Sequence, residues 1–167
     1  VCGAGTGGTS ATIGRFIRYQ RHASQLCVAD PVNSAFHRHF VDRSVVALPA
    51  GCASRIEGIG RPQVEPSFVP AVIDRMIAVD DADSIGAMRA LSARLGRRVG
   101  GSTGTNILAC MTLIEEMAAR GETGSVVTLL CDGGDRYGCT YYDDAWLERC
   151  GLDWRDAAAR VAAFLGE

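Results

Sequence analysis

Apolar and polar positions along the chain follow two spacings, and these predict the order of its elements. Short apolar runs predict buried β-strands at residues 25–30, which Pro31 would stop, and at residues 76–79 and 126–131. Apolar residues three and four positions apart predict helices over residues 10–21, 33–40, 141–150 and 154–165, one from Asp81 or Asp83 to Gly96, and one ending at Gly121. Residues 45–70 contain four prolines and are predicted to be mainly loop. This alternation predicts an α/β fold with an open, mostly parallel sheet flanked by helices.

The composition is that of an ordinary globular domain. The chain has 167 residues, of which 47% are hydrophobic and 22% are charged. Its net charge of −2 argues against a dedicated nucleic-acid surface. No run of residues approaches the ~18 consecutive apolar positions of a membrane-spanning helix. We therefore predict neither nucleic acid nor membrane as a partner.

All 17 residues of the lysine and arginine class are arginines, so the chain contains no lysine. A Walker A phosphate loop requires a lysine, so this type of site is excluded. A mechanism in which this chain supplies the lysine of a Schiff base is excluded for the same reason.

The 7 cysteines are scattered, odd in number and without a C-x-x-C motif. This pattern argues against a disulfide framework and against a structural zinc site, and no metal site is predicted. It favours a reducing compartment, which we take to be the cytoplasm. Cys27, Cys110 and Cys131 lie in apolar segments and are predicted to be buried thiols.

The chain opens with the tail of a strand that enters a glycine-rich segment, residues 3–9, called here the first glycine loop. A strand normally has about five or six residues, so we expect sequence upstream of Val1. The loop precedes a helix, whose unpaired N–H groups and dipole attract an anion, so a phosphate site is predicted. A tight strand–helix turn without a ligand is the alternative. Gly3, Gly5 and Gly8 also satisfy G-x-G-x-x-G, with Asp30 after the next strand, which would suit a dinucleotide.

A second glycine loop, residues 100–106, precedes another helix. A nicotinamide site has no need of this loop. An aromatic cofactor with a phosphate at one end and a ring nitrogen at the other could use both loops, with the Ser102 hydroxyl meeting the nitrogen. The alternative is that Ser102 or Thr103 simply caps the helix.

Four motifs in this order resemble the cysteine synthase / cystathionine β-synthase family, whose members are pyridoxal-phosphate enzymes of the tryptophan-synthase-β fold. They are Gly5-Thr6-Gly7-Gly8-Thr9, Glu57-Gly58-Ile59-Gly60, Gly100-Gly101-Ser102-Thr103-Gly104 and Gly134-Asp135-Arg136-Tyr137. The resemblance runs from residue 1 to about residue 147. The segment from Cys131 to Asp144 is most similar to the bacterial branch that includes L-cysteine desulfhydrases.

The resemblance implies a role for each motif. Residues 5–9 would bind the phosphate of pyridoxal 5′-phosphate, and Ser102 would form a hydrogen bond with its pyridine nitrogen. A neutral hydroxyl at that nitrogen favours β-elimination and β-replacement, here on L-cysteine or an O-activated serine. Gly58 and Ile59 would lie beside this amino-acid substrate, and Asp132 would be either a pocket group or a helix cap.

One departure from the family is large, because the Schiff-base lysine is absent and no catalytic residue is therefore expected in this chain. Residues 1–167 resemble the C-terminal, pyridoxal-phosphate-binding half of such an enzyme. The missing N-terminal half would be part of the same polypeptide or a separate one, and the complete enzyme would be a homodimer. A non-catalytic binding module and a dinucleotide-binding oxidoreductase domain are the alternatives.

Overall fold

The structure, a computed structural model, describes residues 1–166 and divides into two compact units, Val1–Val79 and Asp80–Glu167. The first unit contains a three-stranded parallel sheet whose strands lie side by side in chain order. Its elements are β1 (Cys2–Gly3), α1 (Gly8–Tyr19), β2 (Cys27–Pro31), α2 (Ala35–Val41), a 3-10 turn (Pro70–Val72) and β3 (Arg75–Val79). The prediction of an α/β fold with parallel strands and flanking helices is confirmed.

Strand β2 is the centre of this sheet. It pairs with β1 from Cys2 opposite Val28 and with β3 from Cys27 opposite Arg75 to Pro31 opposite Val79. Pro31 is thus the last residue of the strand rather than the residue that stops it. All five residues of β2 are buried, which is why the sequence shows a continuous apolar run here instead of an alternating one.

The apolar face of α1 and the ring of Phe36 from α2 close the core of the first unit. Phe36 stacks on Phe68 with ring centroids 4.2 Å apart and planes inclined by 9°. Phe68 belongs to the proline-rich segment, so this segment contributes to the core although it is mainly loop. The remaining core residues are Cys2, Ala4, Ile17, Leu26, Val28, Ile73 and Met76.

The second unit is helical, and its helix α3 packs against two others. The elements are α3 (Asp81–Leu95), α4 (Gly101–Ala119), a 3-10 turn (Asp135–Tyr137), α5 (Asp144–Cys150) and α6 (Arg155–Phe164). Two glycines allow the close approach of these helices. A Cβ at Gly104 would overlap the Ser84 carbonyl oxygen of α3, and a Cβ at Gly86 would overlap the Trp154 carbonyl oxygen at the start of α6.

Several helix boundaries differ from the prediction. The N-cap of α3 is Asp80, whose carboxylate accepts the Ala82 N–H at 2.9 Å, so the expected cap at Asp81 or Asp83 was wrong. Those two aspartates lie in the first turn instead, where their charge complements the helix dipole. Helix α5 begins at residue 144, not 141, because Asp143 caps it. Gly96 ends α3 at φ 63°, as predicted.

The predicted strand at residues 126–131 is wrong, since no strand is found there in the described part of the chain. A strand needs a neighbour for its backbone groups, and side chains of α4 take this role here. The Thr103 hydroxyl accepts the Cys131 N–H at 3.0 Å, and the Asn106 amide donates to the Leu129 carbonyl at 3.4 Å. Cys131 is exposed as a result, so the prediction that it is buried was wrong, whereas Cys27 and Cys110 are buried.

Among residues 1–166, no helix combines the length and the apolar character that crossing a membrane requires.

Candidate functional site

The first glycine loop leads from β1 into α1 and presents backbone N–H groups at the start of that helix. The first intrahelical hydrogen bond runs from the Ala11 N–H to the Gly7 carbonyl at 2.9 Å. The N–H groups of Gly8, Thr9 and Ser10 come before it and have no acceptor among the residues described. No acidic side chain lies in the first turn, and no side chain caps the helix. The start of α1 therefore presents several unpaired N–H donors in a region of positive electrostatic potential.

Glycine is required in this loop because other backbone lies directly behind it. Gly7 has φ 92°, a left-handed conformation that favours glycine. A Cβ there would be 2.5 Å from Phe68 Cα, and a Cβ at Gly5 would be 2.6 Å from the Gly58 carbonyl oxygen. Thr6 and Thr9, in contrast, are exposed. Gly5 and Gly7 of the loop are thus packed against other backbone, whereas Thr6 and Thr9 are exposed to solvent.

This arrangement fits a phosphate group. A phosphate needs several N–H or O–H donors, positive potential and a backbone that it can approach closely. The loop offers unpaired amides, two exposed threonine hydroxyls and glycines where a side chain would obstruct, with no carboxylate in the first helical turn. These residues therefore suit the phosphate end of pyridoxal phosphate, and they suit other phosphates equally.

Gly58 and Ile59 lie in a loop that contacts the first glycine loop through Gly58. Gly58 and Gly60 have φ values of 87° and 78°, so this loop depends on glycine conformations. Ile59 is half-buried. The structure therefore brings Gly58 together with Gly5, two residues that are 53 positions apart.

Two further side chains reach the first glycine loop, and sequence reasoning missed both. Arg61 Nε donates to the Gly5 carbonyl at 2.8 Å, and the Ser67 hydroxyl donates to the Thr6 carbonyl at 2.7 Å. Both follow the Glu57–Gly60 motif within a few residues, in the segment assigned only as loop. Their position beside that motif is the one signal that could have drawn attention to them.

The second glycine loop is the first turn of α4, which begins at Gly101. Its N-cap is Gly100, and no side chain caps the helix, so the alternative of a cap by Ser102 or Thr103 was wrong. Ser102 is 8% exposed. Its hydroxyl has no hydrogen-bond partner among residues 1–166, whereas the Thr103 hydroxyl is engaged with Cys131. Ser102 therefore retains an uncommitted donor and acceptor.

Asp132 lies beside the start of α4 without capping it. The Gly100 N–H donates to its backbone carbonyl at 3.0 Å, and its carboxylate accepts the Tyr137 hydroxyl at 2.5 Å. A Cβ at Gly100 would overlap this carboxylate. Within the described residues no backbone N–H donates to the Asp132 side chain, so the helix-cap alternative is not supported.

Tyr142 holds the backbone that leads into this turn. Its hydroxyl donates to the Val99 carbonyl at 2.8 Å and accepts the Val99 N–H at 3.1 Å. The same hydroxyl is 2.7 Å from the Ser92 Oγ. Both backbone groups of Val99, one residue before Gly100, thus bind the Tyr142 hydroxyl, and the Ser92 Oγ also accepts the Val99 N–H at 3.1 Å.

Asp30 does not occupy the position that a ribose-binding acid requires. The residue is completely buried, and one carboxylate oxygen accepts the His37 N–H at 2.9 Å. Burial raises the pKa of this carboxyl to about 7, although hydrogen bonds from Ser34 and His37 partly offset the rise. A ligand hydroxyl has no access to the side chain, so the dinucleotide interpretation loses its acidic residue.

Comparisons with known proteins agree with the cofactor that the loops suggest. The sequence model of the family described as pyridoxal-phosphate dependent enzyme matches residues 1–132. The L-cysteine desulfhydrase Cds1 of Mycobacterium tuberculosis is 59% identical over 165 residues, which cover 98% of this chain and 44% of that protein.

Two more distant relatives are a glutamate-derivative synthase and a cysteine synthase. The N-(2-amino-2-carboxyethyl)-L-glutamate synthase of Cupriavidus metallidurans is 32% identical, over 98% of this chain and 44% of that protein. Cysteine synthase 2 of Schizosaccharomyces pombe is 28% identical, over 89% of this chain and 40% of that protein. The chain thus spans less than half the length of these curated relatives. The resemblance to the cysteine synthase / cystathionine β-synthase family is confirmed, and this chain belongs to the family of pyridoxal-phosphate dependent enzymes.

Proposed function

We propose that this chain forms the cofactor-binding part of an enzyme that eliminates the thiol of L-cysteine and releases hydrogen sulfide. The observation that carries the proposal is the 59% identity to an L-cysteine desulfhydrase along 98% of the chain. The glycine loop at the start of α1, with its unpaired amides and its close-packed Gly5 and Gly7, supports the cofactor part of the proposal. A β-replacement that makes cysteine from an O-activated serine is the second candidate, supported by the more distant cysteine synthase.

In this proposal each site residue keeps one role. The amides and hydroxyls of residues 5–9 bind the cofactor phosphate, and the uncommitted Ser102 hydroxyl interacts with the pyridine nitrogen. Gly58 and Ile59 border the substrate, and Asp132, fixed by Tyr137, is a polar group beside the second loop. Pyridoxal phosphate, when bound, supplies the electron-withdrawing ring that stabilises negative charge at the substrate Cα.

The residue that moves the proton at the substrate Cα lies outside these 167 residues in this proposal. The chain has no lysine, and a lysine is required both to hold the cofactor covalently and to transfer that proton. We therefore propose an N-terminal part, in the same or a separate polypeptide, that contributes it. We further propose that the complete enzyme is a cytoplasmic homodimer. Light scattering on the purified enzyme measures its oligomeric state directly.

The choice between elimination and replacement is tested with the complete enzyme and two substrate sets. A desulfhydrase releases hydrogen sulfide and pyruvate from L-cysteine without a second substrate. A synthase forms cysteine from O-acetylserine and sulfide, with a kcat/KM much higher than its kcat/KM for releasing sulfide from L-cysteine. Cysteine formation that exceeds sulfide release under matched conditions would assign the second candidate function.

The role of Ser102 is tested by Ser102→Ala in the complete enzyme. Turnover should fall about tenfold, the effect of losing one hydrogen bond of roughly 1–2 kcal/mol in the reacting state. The dissociation constant of pyridoxal phosphate should change less, because the phosphate remains bound by the first glycine loop. Ser102→Thr, which retains a hydroxyl, should recover part of the turnover.

Thr112→Ala is the matched control for this experiment. It removes a half-buried hydroxyl from the same helix, about 15 Å further along at 1.5 Å per residue. That hydroxyl donates only to the Leu108 carbonyl, so kcat should be unchanged. Equal turnover in Ser102→Ala and the control would remove Ser102 from the proposed site.

A further inference from the structure

The side chains of Arg61 and Ser67 approach the first glycine loop from the same segment, residues 58–68, that packs behind it. Arg61 donates to the carbonyl of Gly5, and Ser67 donates to the carbonyl of the next residue, Thr6. Two consecutive loop carbonyls are therefore each held by a side chain about 60 residues further along. Neither contact belongs to regular secondary structure, and both connect residues 58–68 directly to the first glycine loop.

The geometry of the peptide bond gives these contacts a consequence. In a planar trans peptide the C=O and the N–H point in opposite directions. A donor that holds the Gly5 carbonyl therefore directs the Thr6 N–H away from residues 58–68, and a donor on the Thr6 carbonyl directs the Gly7 N–H likewise. Thr6 itself is exposed, so its N–H lies at the surface of the loop.

We propose that Arg61 and Ser67 are positioning residues that preset the Thr6 and Gly7 amides for a phosphate group, before any ligand arrives. The inference rests on the proposed function, since it assumes that the first glycine loop binds the cofactor phosphate. Glycine-rich loops rotate their peptide groups easily, and a rotated peptide would present its carbonyl to the anion. The two donors raise the free energy of that rotated state.

Contacts with other segments hold the main chain at Arg61 in place. The Arg61 carbonyl accepts the Ala35 N–H at 2.7 Å. Gly60, with φ 78°, has Pro31 and Ser54 so close that a Cβ would not fit. Arg61 itself is half-buried, while the Ser67 contact is exposed. Arg61 should therefore make the larger contribution of the two.

The experiment compares pyridoxal 5′-phosphate with pyridoxal, which has the same ring and aldehyde but no phosphate. Dissociation constants of both are measured on the complete enzyme after cofactor removal, for the wild type, Arg61→Ala and Ser67→Ala. Arg61→Ala should weaken binding of the phosphorylated ligand about tenfold, as expected for one charge-assisted hydrogen bond. Ser67→Ala should weaken it about threefold, and pyridoxal should change by less than about twofold in both variants.

The phosphorus-31 chemical shift of the bound cofactor is a second readout, which a merely structural role would not move. It should change in Arg61→Ala, because the amides that surround the phosphate are reoriented. Arg43→Ala is the matched control, since Arg43 also donates to a main-chain carbonyl, that of His39 at 2.9 Å. The control should leave both dissociation constants and the chemical shift unchanged.

Each outcome decides one question. Equal weakening of both ligands, or no weakening of either, overturns the positioning role but leaves the proposed function intact. A wild-type enzyme that binds pyridoxal as tightly as its phosphate ester contradicts the phosphate site itself. If Arg61→Ala does not fold, as judged by circular dichroism, the ratio of the two constants in Ser67→Ala decides, because that contact is on the surface.

Discussion

Replacing Asp30 by asparagine removes an ionisable group from the buried end of β2 and should make stability less dependent on pH. The carboxyl is completely buried, and its Oδ1 atom has no hydrogen-bond partner among the residues described. Removing a charge from water without full compensation is unfavourable. This is the physical reason why burial raises the pKa of Asp30 to about 7.

The sign of the effect follows from proton binding in the two states. In the unfolded chain an aspartate loses its proton near pH 4, while Asp30 in the folded protein retains it until about pH 7. Over this interval the folded state binds more protons, so its stability falls as the pH rises. The change from 3.8 to about 7, at about 1.4 kcal/mol per pH unit, amounts to about 4 kcal/mol.

The assay is urea-induced unfolding of the wild type and Asp30→Asn at several pH values from 4 to 8. Far-ultraviolet circular dichroism is the suitable probe, because both tryptophans, Trp146 and Trp154, lie outside residues 1–79. The free energy of unfolding of the variant, relative to the wild type, should increase by about 3 kcal/mol from pH 4 to 7 and level off near pH 8. The readout is the change of this free-energy difference with pH, because any effect of the substitution on packing is the same at every pH.

Asp80→Asn is the matched control. It makes the same chemical change at an exposed residue, and asparagine also caps helices well. Its difference from the wild type should vary little with pH, because water solvates an exposed charge in both states. The reasoning is refuted if the Asp30→Asn difference is flat, or if the wild type gains on the variant as the pH rises. Either result would mean that Ser34 and the His37 N–H stabilise the ionised form.

Two further predictions concern the packing and the loops of the second unit. Gly104→Ala places a Cβ on the Ser84 carbonyl oxygen. It should destabilise the protein by about 1–3 kcal/mol, measured as a drop in melting temperature. Gly133→Ala is the control, because nothing lies within 4 Å of the added Cβ, and its drop in melting temperature should be much smaller. Tyr142→Phe removes the hydroxyl that binds both backbone groups of Val99 and should cost about 1–2 kcal/mol in urea unfolding. An unchanged midpoint would show that these hydrogen bonds make no net contribution.

The sequence alone was sufficient for features whose causes lie within a few residues. Helical spacing located α1, α3, α4 and α6, because a helix satisfies its backbone groups within one segment and shows its buried face every three or four residues. The glycine loops were recognisable because close backbone approach requires glycine. The order of four such motifs was enough to identify the family and its cofactor.

The burial of single side chains was decided by the tertiary structure. Cys131 was expected inside but is exposed, because its apolar segment lies along α4 rather than within a sheet. Asp30 would contact a ligand only in the dinucleotide alternative, but it is buried under α2, with a raised pKa. Whether a segment forms a strand, or an acidic side chain is buried, depends on which distant segment packs beside it. The pattern of apolar and polar positions does not contain that information.

The same limit applied to the site. The residues that form the first glycine loop are contiguous, so the sequence determined them. The groups that hold it, Arg61 and Ser67, are about 60 positions away, and neither belongs to a motif. Whether the Asp132 carboxylate caps α4 likewise depended on the fold, because it accepts the Tyr137 hydroxyl. The residues of the loop can therefore be identified from the sequence. The side chains that hold the loop in position can be identified only from the structure, because their contacts form when the chain folds.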